Sequence, residues 1–541
     1  MENIYFNGTI ITMQNEKDIA QAVLTENGII KAKGSLEKIK SLAGENAKYI
    51  NLKQKTMLPA FIDSHSHLSM LARNLGKADL SKARSFQDIV EILIAFREEN
   101  ALFHGEYIQG VGYEPSLLKE KKHPDKRLLD CVSRENPVFI FHSSLHMGVA
   151  NSLALRQAGI DKSTIFPEEI AGRDEDGEYN GFLAESAMTS IYMECEKQQL
   201  DWTRLYEKAQ NIYLENGICT VQDGALGKDH FTLLKKMAEE GRLKIDTVAY
   251  LLLPDSARKI VQDNKALLKK YQDHLKIGGY KIVLDGSPQG KTAWLSEPYT
   301  DGTNGVAWID AKQTAYFVEQ AVKDKMQLLV HCNGDAASEQ FLNAYEQALQ
   351  KAGGFEKNRL RPVMIHSQLV RHDQLECFQK LDMIPSFFVD HVYFWGDTHL
   401  KNLGEKRAEN ISPVAWAKEY HLPYTFHQDT PVLLPNMLKT LHTAVERKTR
   451  EGVILGKNHK VTMYEALEAI TKNAAYQYGE EDKKGSIEEG KYADFVILDK
   501  NPLCTAVDEI ERIQILKTIY RDEILYEQSD NGVQALYAPG R

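Results

Sequence analysis

Several features that would place a chain in a specialised class are scarce here. Six cysteines, at positions 131, 195, 219, 332, 377 and 504, are spread over 541 residues, and no two form a CxxC pair. That scatter excludes a disulfide scaffold and argues against a thiolate zinc site, so reduced thiols in a cytoplasmic compartment are the expectation. No apolar run reaches the roughly 18 residues of a membrane helix. The opening MENIYFNGTIITM lacks the basic stretch and apolar core of a secretory leader. Positive charge is not in excess: 66 Lys and Arg stand against 76 Asp and Glu, a net charge of −10, which argues against a nucleic-acid-binding face. Low-complexity segments and short repeats are absent. What is there is ordinary for a folded protein: 43 % hydrophobic and 26 % charged residues, with ample length to bury a core. Length alone would allow three or four domains of about 150 residues.

The two ends are rich in β-branched residues. Residues 3–13 and 20–34 read as strands, with Asn27-Gly28 between apolar runs as a hairpin signal. Residues 492–498 read as a strand and 515–527 as a hairpin turning near Arg521-Asp522. These ends suggest one small β-domain assembled from both termini. The middle carries eight short apolar runs, 56–62, 217–222, 246–253, 280–284, 327–331, 362–366, 382–388 and 423–427. From the second onward they begin 29, 34, 47, 35, 20 and 41 residues apart. Helical stretches such as 312–325 and 336–352 lie between them. Strands alternating with helices imply parallel βα units, and eight such units imply an α/β fold of the closed (β/α)₈ barrel type. The gap between the first two runs is too long for one crossover and contains β-like runs at 106–112 and 137–142. It therefore reads as an inserted subdomain over 70–215. The alternative keeps 137–142 in the barrel and removes 246–253.

Of 17 histidines, a few stand where a metal would need them. The first run ends in Phe61-Ile62-Asp63-Ser64-His65-Ser66-His67, and residues two apart on an extended segment point the same way. His65 and His67 can thus reach one ion. Lys281 lies in YKIVLDGS, His331 closes QLLVH, His366 closes PVMIH, and Asp429 follows PYTFHQ. Each is at or near the end of an expected strand, and on a barrel those ends converge at one mouth. Imidazole and carboxylate are ligands for zinc and similar divalent ions.

In these residues, and in the ordered segments LPAFIDSHSHL, YKIVLDGSPQGKTAWLSEPY, LLVHCNGDAA, MIHSQLV, HQDTPV and ALEAITKNAAYQYGEEDKKGSIEEGKYADFVIL, the chain resembles the amidohydrolase superfamily over nearly its whole length. Within it, the resemblance is to the branch that includes N-substituted formamide deformylases. It implies a TIM barrel of residues 56–69 and 216–480, a β-sandwich domain of 1–55 and 481–541, and an inserted substrate wall or lid of 70–215. It assigns His65 and His67 to the more buried metal and His331 and His366 to a second. Lys281 would bridge the two as an N-carboxylated lysine, since an ammonium has no acceptor. Asp429 would bind the first metal and contact the attacking water. The implied cofactor is a divalent metal, two zinc ions per chain. Three departures stand out: Ala60 occupies a usual glycine position, His427-Gln428 replaces the common Gly-Ser before the metal aspartate, and the hairpin near Arg521-Asp522 lacks the glycine often found there.

The expected reaction is hydrolysis of a non-peptide carbon–nitrogen bond (amide, N-acyl or N-formyl), with Asp429 as general base and then general acid. His146, Gln289, His391 and His427 are further candidates for substrate contact, and Asp335 for a partner of His331. Cys332 and the insertion's Tyr107, Tyr113, Phe139, Phe141 and Phe182 read as core residues. Three rivals stand beside this reading. A mononuclear deaminase of the same superfamily typically places a glutamate where Gly334 stands; the others are an ester hydrolase and a metal-free binding or scaffold protein. The expected partner is a small-molecule amide-type substrate, with no nucleic acid and no membrane; homo-oligomer formation stays open.

Overall fold

The structure, a computed structural model, describes residues 1–142, 147–166, 170–197, 200–254 and 256–528. His146 lies outside the described residues. The chain forms two compact units, Met1–Leu71 with the chain from Tyr206 onward, and Ala72–Leu205. Among the described residues no helix is long and apolar enough to cross a membrane.

The first unit contains a sheet of eight parallel strands in sequence order: β1 (Phe61–Ile62), β2 (Ile218–Leu226), β3 (Asp246–Leu252), β4 (Leu275–Val283), β5 (Gln327–Cys332), β6 (Val363–His366), β7 (Ile384–Phe387) and β8 (Thr425–Phe426). Near-continuous apolar sequence is what a parallel strand covered on both faces requires. Helices separate the strands. Ala311–Asp324 shows why they form: Asp310 and Gln313 make a reciprocal capping box, Phe317, Val318, Ala321 and Val322 line the buried face, and Lys325 ends the helix in a left-handed conformation. The edge strands β1 and β8 meet through their continuations. Ser64 Oγ donates to Phe426 O at 2.9 Å, and His67 N to Thr430 O at 2.8 Å. The sheet is a TIM-like barrel. Ile62, Val248, Tyr250, Leu329, Val363, Ile365 and Ile384 pack together with Ala474, Ala475 and Tyr478. The Tyr478 hydroxyl donates to Asp63 O at 2.7 Å and the Gln477 amide to Ser64 O at 2.7 Å, which ties this layer to the segment that carries His65 and His67.

Strand limits differ from the sequence runs, most clearly for β1 and β4. The apolar run 56–62 is shared between two sheets. Thr56–Pro59 pairs antiparallel with Phe495–Leu498, and Phe61–Ile62 pairs with β2. Ala60 is the crossing point, its N–H donating to Asp494 O at 2.9 Å. β4 begins at Leu275 rather than 280, so the Gly278-Gly279 pair, a turn signal in isolation, lies inside a strand paired on both sides.

Both chain ends contribute to a second sheet, in the order Glu523–Glu527, Ile515–Tyr520, Phe495–Leu498, Thr56–Pro59, Glu2–Ile11, Ile19–Glu26, Ile29–Gly34, with Lys48–Asn51 also paired to Glu2–Ile11. Its hairpins turn at Asn27-Gly28 (φ 50° and 78°) and at Arg521-Asp522 (φ 47° and 69°). The second turn lacks glycine and instead gains bonds: Asp522 accepts from Tyr5 Oη at 2.9 Å, Thr25 Oγ1 at 2.8 Å and Gly28 N at 3.3 Å. At the beginnings of β3 and β4 lies a buried ionic network. Lys484 Nζ donates to Asp246 and to Glu480, both at 2.7 Å, Tyr520 Oη donates to Asp246 at 2.9 Å, and Lys276 pairs with Glu480.

The unit Ala72–Leu205 has its own six-stranded sheet, in the order Ala171–Arg173, Tyr179–Ala184, Met147–Ala150, Val138–His142, Ile108–Tyr113, Ala78–Asp79. Tyr113 packs in one of its cores with Phe182 against it, and Tyr107, Phe139 and Phe141 in another.

Candidate metal centre

The six residues singled out at strand ends come together. His67 Nε2 and His65 Nε2 each lie 3.2 Å from Asp429 Oδ1. Lys281 Nζ is 3.3 Å from His65 Nε2. His366 Nε2 is 3.9 Å from Asp429 Oδ2 and 3.1 Å from His331 Nδ1. Ligand atoms of His65, His366 and Asp429 all lie within 4.8 Å of one another, the one such cluster among the described residues.

The backbone is bent to make this possible. Val363 and Ile365 of β6 share the core layer, so a regular strand would turn His366 the other way. His366 and Ser367 instead have φ of 73° and 47°, and Asp429 has φ of 54°. A left-handed backbone costs a non-glycine residue roughly 1–2 kcal/mol. Two of the six donors carry that strain, which points to a function that needs their aim.

The outer nitrogens establish which atoms face inward. His65 Nδ1 donates to Gln222 Oε1 at 2.5 Å and His67 Nδ1 to Gly224 O at 2.9 Å. Both Nε2 atoms are therefore bare in the neutral rings. Asp429 Oδ1, which they approach, is buried and makes no aligned hydrogen bond. In the neutral rings three electron-rich atoms would face one another at this point, an arrangement that favours a cation or a proton between them. His331 Nε2 lies 3.2 Å from Gly286 O and 3.0 Å from Asn333 Nδ2, and its Nδ1 faces His366 Nε2 at 3.1 Å. Gly224 lets this happen: a Cβ there would lie 3.1 Å from Gln222 Oε1 and His67 Cε1 and 3.3 Å from His65 Cε1.

Burial dominates the protonation of these groups. It pushes His65 to about 3 and His331 to about 4, in both cases with Lys281 adding to the effect. His366 lies well below its usual value through burial and then His331. Burial brings Lys281 down to about 8. For Asp429 burial works upward, but the contacts with His65 and His67 outweigh it and hold the carboxyl well below its usual value. For His67 burial works downward and is outweighed by Asp429, which raises the ring. Asp429 thus favours positive charge beside it, and His67 is the ring it raises.

The weaker candidates separate. His427 is fully buried, with Nε2 3.1 Å from His366 Nδ1 and Nδ1 2.9 Å from Ser386 Oγ. His391 begins the helix His391–Leu403 after β7. The Gln289 Oε1 is buried without a partner among the described residues. Asp335 does not reach His331: its carboxylate binds Ser296 and Arg371, because it lies in the first turn of the helix Asp335–Lys351. The carboxylate beside His331 is Asp285, at 3.6 Å, held by the backbone N–H groups of Asn333, Gly334 and Trp294. Cys332 is buried, and burial pushes its thiol well above the usual range, as core packing requires.

Sequence reasoning missed Gln222, Ser386, Asp285 and Trp308. Gln222 has a signal, since it ends an expected strand. Trp308 has none: it is 61 % exposed and stacks on His331 with ring centroids 6.4 Å apart.

A family model described as the amidohydrolase family matches residues 48–526. The chain is 27 % identical over 549 residues to YtcJ of Bacillus subtilis strain 168, covering 98 % of this chain and all of that protein. It is 26 % identical over 543 residues to the N-substituted formamide deformylase of Arthrobacter pascens, covering 97 % and 98 %. Among solved structures, an uncharacterized metal-dependent hydrolase from Pyrococcus furiosus superposes with a TM-score of 0.76 at 26 % identity, covering 93 % of this chain and all of that one.

Proposed function

The chain belongs to the amidohydrolase family, and from that premise we propose that it is a metal-dependent hydrolase of non-peptide carbon–nitrogen bonds in a small amide, N-acyl or N-formyl compound. The observation that carries the reading is the convergence of the His65 and His67 Nε2 atoms on Asp429 Oδ1, each at 3.2 Å. That donor set is electron-rich and suits a divalent cation. His65, His67, Lys281, His331, His366 and Asp429 would hold two zinc ions. Lys281 suits a carboxylated bridge: with a pKa of about 8, part of it is a neutral amine at pH 7, which can take up carbon dioxide and release a proton. The bond class rests on similarity to the N-substituted formamide deformylase.

When bound, such ions acidify water to a pKa of about 7 and polarise a carbonyl. Asp429, held ionised by its two histidines, accepts the water proton and returns it to the leaving nitrogen. Gln222 and Gly224 O fix the tautomers of His65 and His67. His427 does the same for His366, donating from Nδ1 to Ser386 and accepting from His366 Nδ1. Gly334 disfavours the deaminase alternative: a Cβ at that position would lie 1.9 Å from Trp294 O, so a glutamate has no room there. In the same reading residues 56–69 and 216–480 are the catalytic barrel, 1–55 and 481–541 the β-sandwich domain, and 70–215 the part that selects substrate. The six free thiols accord with a cytoplasmic enzyme.

The test is metal analysis of the purified protein together with turnover of a panel of N-substituted formamides, N-acyl amines and carboxylic esters, with and without chelator. Bound divalent metal and chelator-sensitive release of amine are expected. A metal-free protein, or chelator-resistant turnover, would overturn the reading; preference for esters would overturn the bond class.

A further inference from the structure

The helix that opens with His391 contains a second histidine that touches no candidate ligand. His399, two turns on, is fully buried. Its ring lies parallel to that of His391, 6° apart in plane with centroids 5.3 Å apart. His399 Nε2 is 3.2 Å from His391 Nδ1, and His399 Nδ1 is sealed from solvent with no partner. Burying a polar ring with half its capacity unused is costly, so the one bond it makes calls for an account.

The unpaired nitrogen decides the direction of that bond. A neutral imidazole has one N–H and one bare nitrogen. If the His399 proton were on Nδ1, a buried donor would have no acceptor, the costlier of the two defects. With the proton on Nε2, His399 donates to His391 Nδ1, and the His391 proton is then on its own Nε2. Burial keeps His399 neutral, pushing it to about 3, and burial followed by His399 holds His391 well below its usual value. His391 Nε2 makes no hydrogen bond among the described residues and, unlike His399 Nδ1, is not sealed from solvent.

His391 stands beside the candidate centre. It follows β7, at the end of the barrel where catalytic groups gather. Phe388 lies against it at 4.7 Å between ring centroids, and the same Phe388 ring is 5.4 Å from His427 and 6.3 Å from His366. Trp395 covers another side at 4.6 Å. A ring held by Phe388, Trp395 and His399 has little freedom to turn.

We propose that His399 is a positioning residue that locks His391 in the Nε2–H tautomer, so that His391 presents a fixed donor to the carbonyl oxygen of the substrate and to the oxyanion it becomes. The proposal rests on the hydrolase reading above. A donor set in advance, aimed where negative charge develops, is the most effective use of such a group. No bond to His391 or His399 forms or breaks in the reaction.

The experiment uses the full-length protein labelled with ¹⁵N-histidine. The ring nitrogens of His391, assigned by their loss in His391→Gln, report its tautomer directly. Nε2–H is expected in the wild-type protein and in His399→Gln, whose amide can donate from nearly the same place, and a tautomer mixture in His399→Leu. With an N-substituted formamide as probe, His399→Leu should lower kcat on the order of 10-fold or more with unchanged metal content, and His399→Gln should restore most of it. A wild-type spectrum with the His391 proton on Nδ1 would overturn the proposal, even if His399→Leu failed to fold. An unchanged kcat in a folded, metal-loaded His399→Leu would also overturn it. Loss of metal-dependent turnover from the wild-type protein itself would instead overturn the hydrolase reading and the substrate part of this proposal, leaving the tautomer spectrum to report on the bond between the two rings.

Discussion

His67 Nε2 and Asp429 Oδ1 stand 3.2 Å apart, although one residue follows the first barrel strand and the other follows the last. The backbone repeats the contact, with His67 N donating to Thr430 O at 2.8 Å. Barrel closure and assembly of the candidate centre are therefore one event. The seam between β1 and β8 has no ladder of its own and is made by Ser64, His67, Phe426 and Thr430, which are in or beside the site.

Asp429→Asn keeps the shape of the side chain and removes its charge. Turnover of a formamide or amide probe should fall by about 100-fold or more, the scale of a lost general base. The melting temperature should change little, because the strained φ at 429 suits asparagine as well as aspartate. Steady-state kinetics and calorimetry check both halves; full activity in the variant would remove Asp429 from the mechanism.

Gln222→Leu removes the acceptor that holds His65 Nδ1–H. Both ring nitrogens then compete for the proton, and metal affinity should fall by about 10- to 100-fold. Competition with a metal-sensitive chelator dye measures this. An unchanged affinity would show that His65 needs no outer partner.

Lys484→Met tests the buried network beneath β3 and β4. It leaves Asp246 and Glu480 buried with one cationic partner fewer, a loss of about 3–5 kcal/mol readable by urea denaturation. Lys484 makes no contact with the six candidate ligands, so metal content in the folded fraction should be unchanged.

His459 supplies a pH dependence. Ala415 N donates to its Nδ1 at 3.3 Å and its Nε2 donates to Asn410 Oδ1 at 3.2 Å, so the neutral ring is fully used. Burial, with Arg447 second, pushes it to about 3, against about 6.5 in the unfolded chain. A depressed folded pKa means that the unfolded state binds the proton first. The stability supplied by His459 is thus fully present above about pH 6.5 and is lost as the pH falls toward 3. The difference in unfolding free energy between wild type and His459→Gln should shrink across that window and stay constant above it. A difference that does not vary with pH would contradict the assignment.

Much of the barrel was legible in the sequence because parallel strands are short, apolar and local. QLLVH and PVMIH announce themselves without reference to anything else, and the polar residue closing each one marks its end. Run 56–62 shows the limit of that logic. Its apolar pattern is continuous, yet Thr56–Pro59 and Phe61–Ile62 enter different sheets, a division made by Asp494 and Gly217 far along the chain. Gly278-Gly279 reads as a turn and is paired on both sides, for the same reason. Asp335 is four residues from His331 but is taken away by its helix, while Asp285, 46 residues distant, lies beside the ring.

The sequence by itself determined a candidate donor set: which side chains could hold a cation, and that each stands at or near the end of a strand. Those are properties of short segments, and short segments carry them in any context. Tertiary structure alone decided which nitrogen of each ring faces inward, since that depends on Gln222, Gly224 and Gly286, all remote in sequence from the rings they orient. It alone decided that His366 and Asp429 adopt left-handed backbone, and that His399, one histidine among 17, lies parallel to His391. A hydrogen-bond donor has a direction only once its acceptor is in place, and here those acceptors are supplied by other parts of the fold.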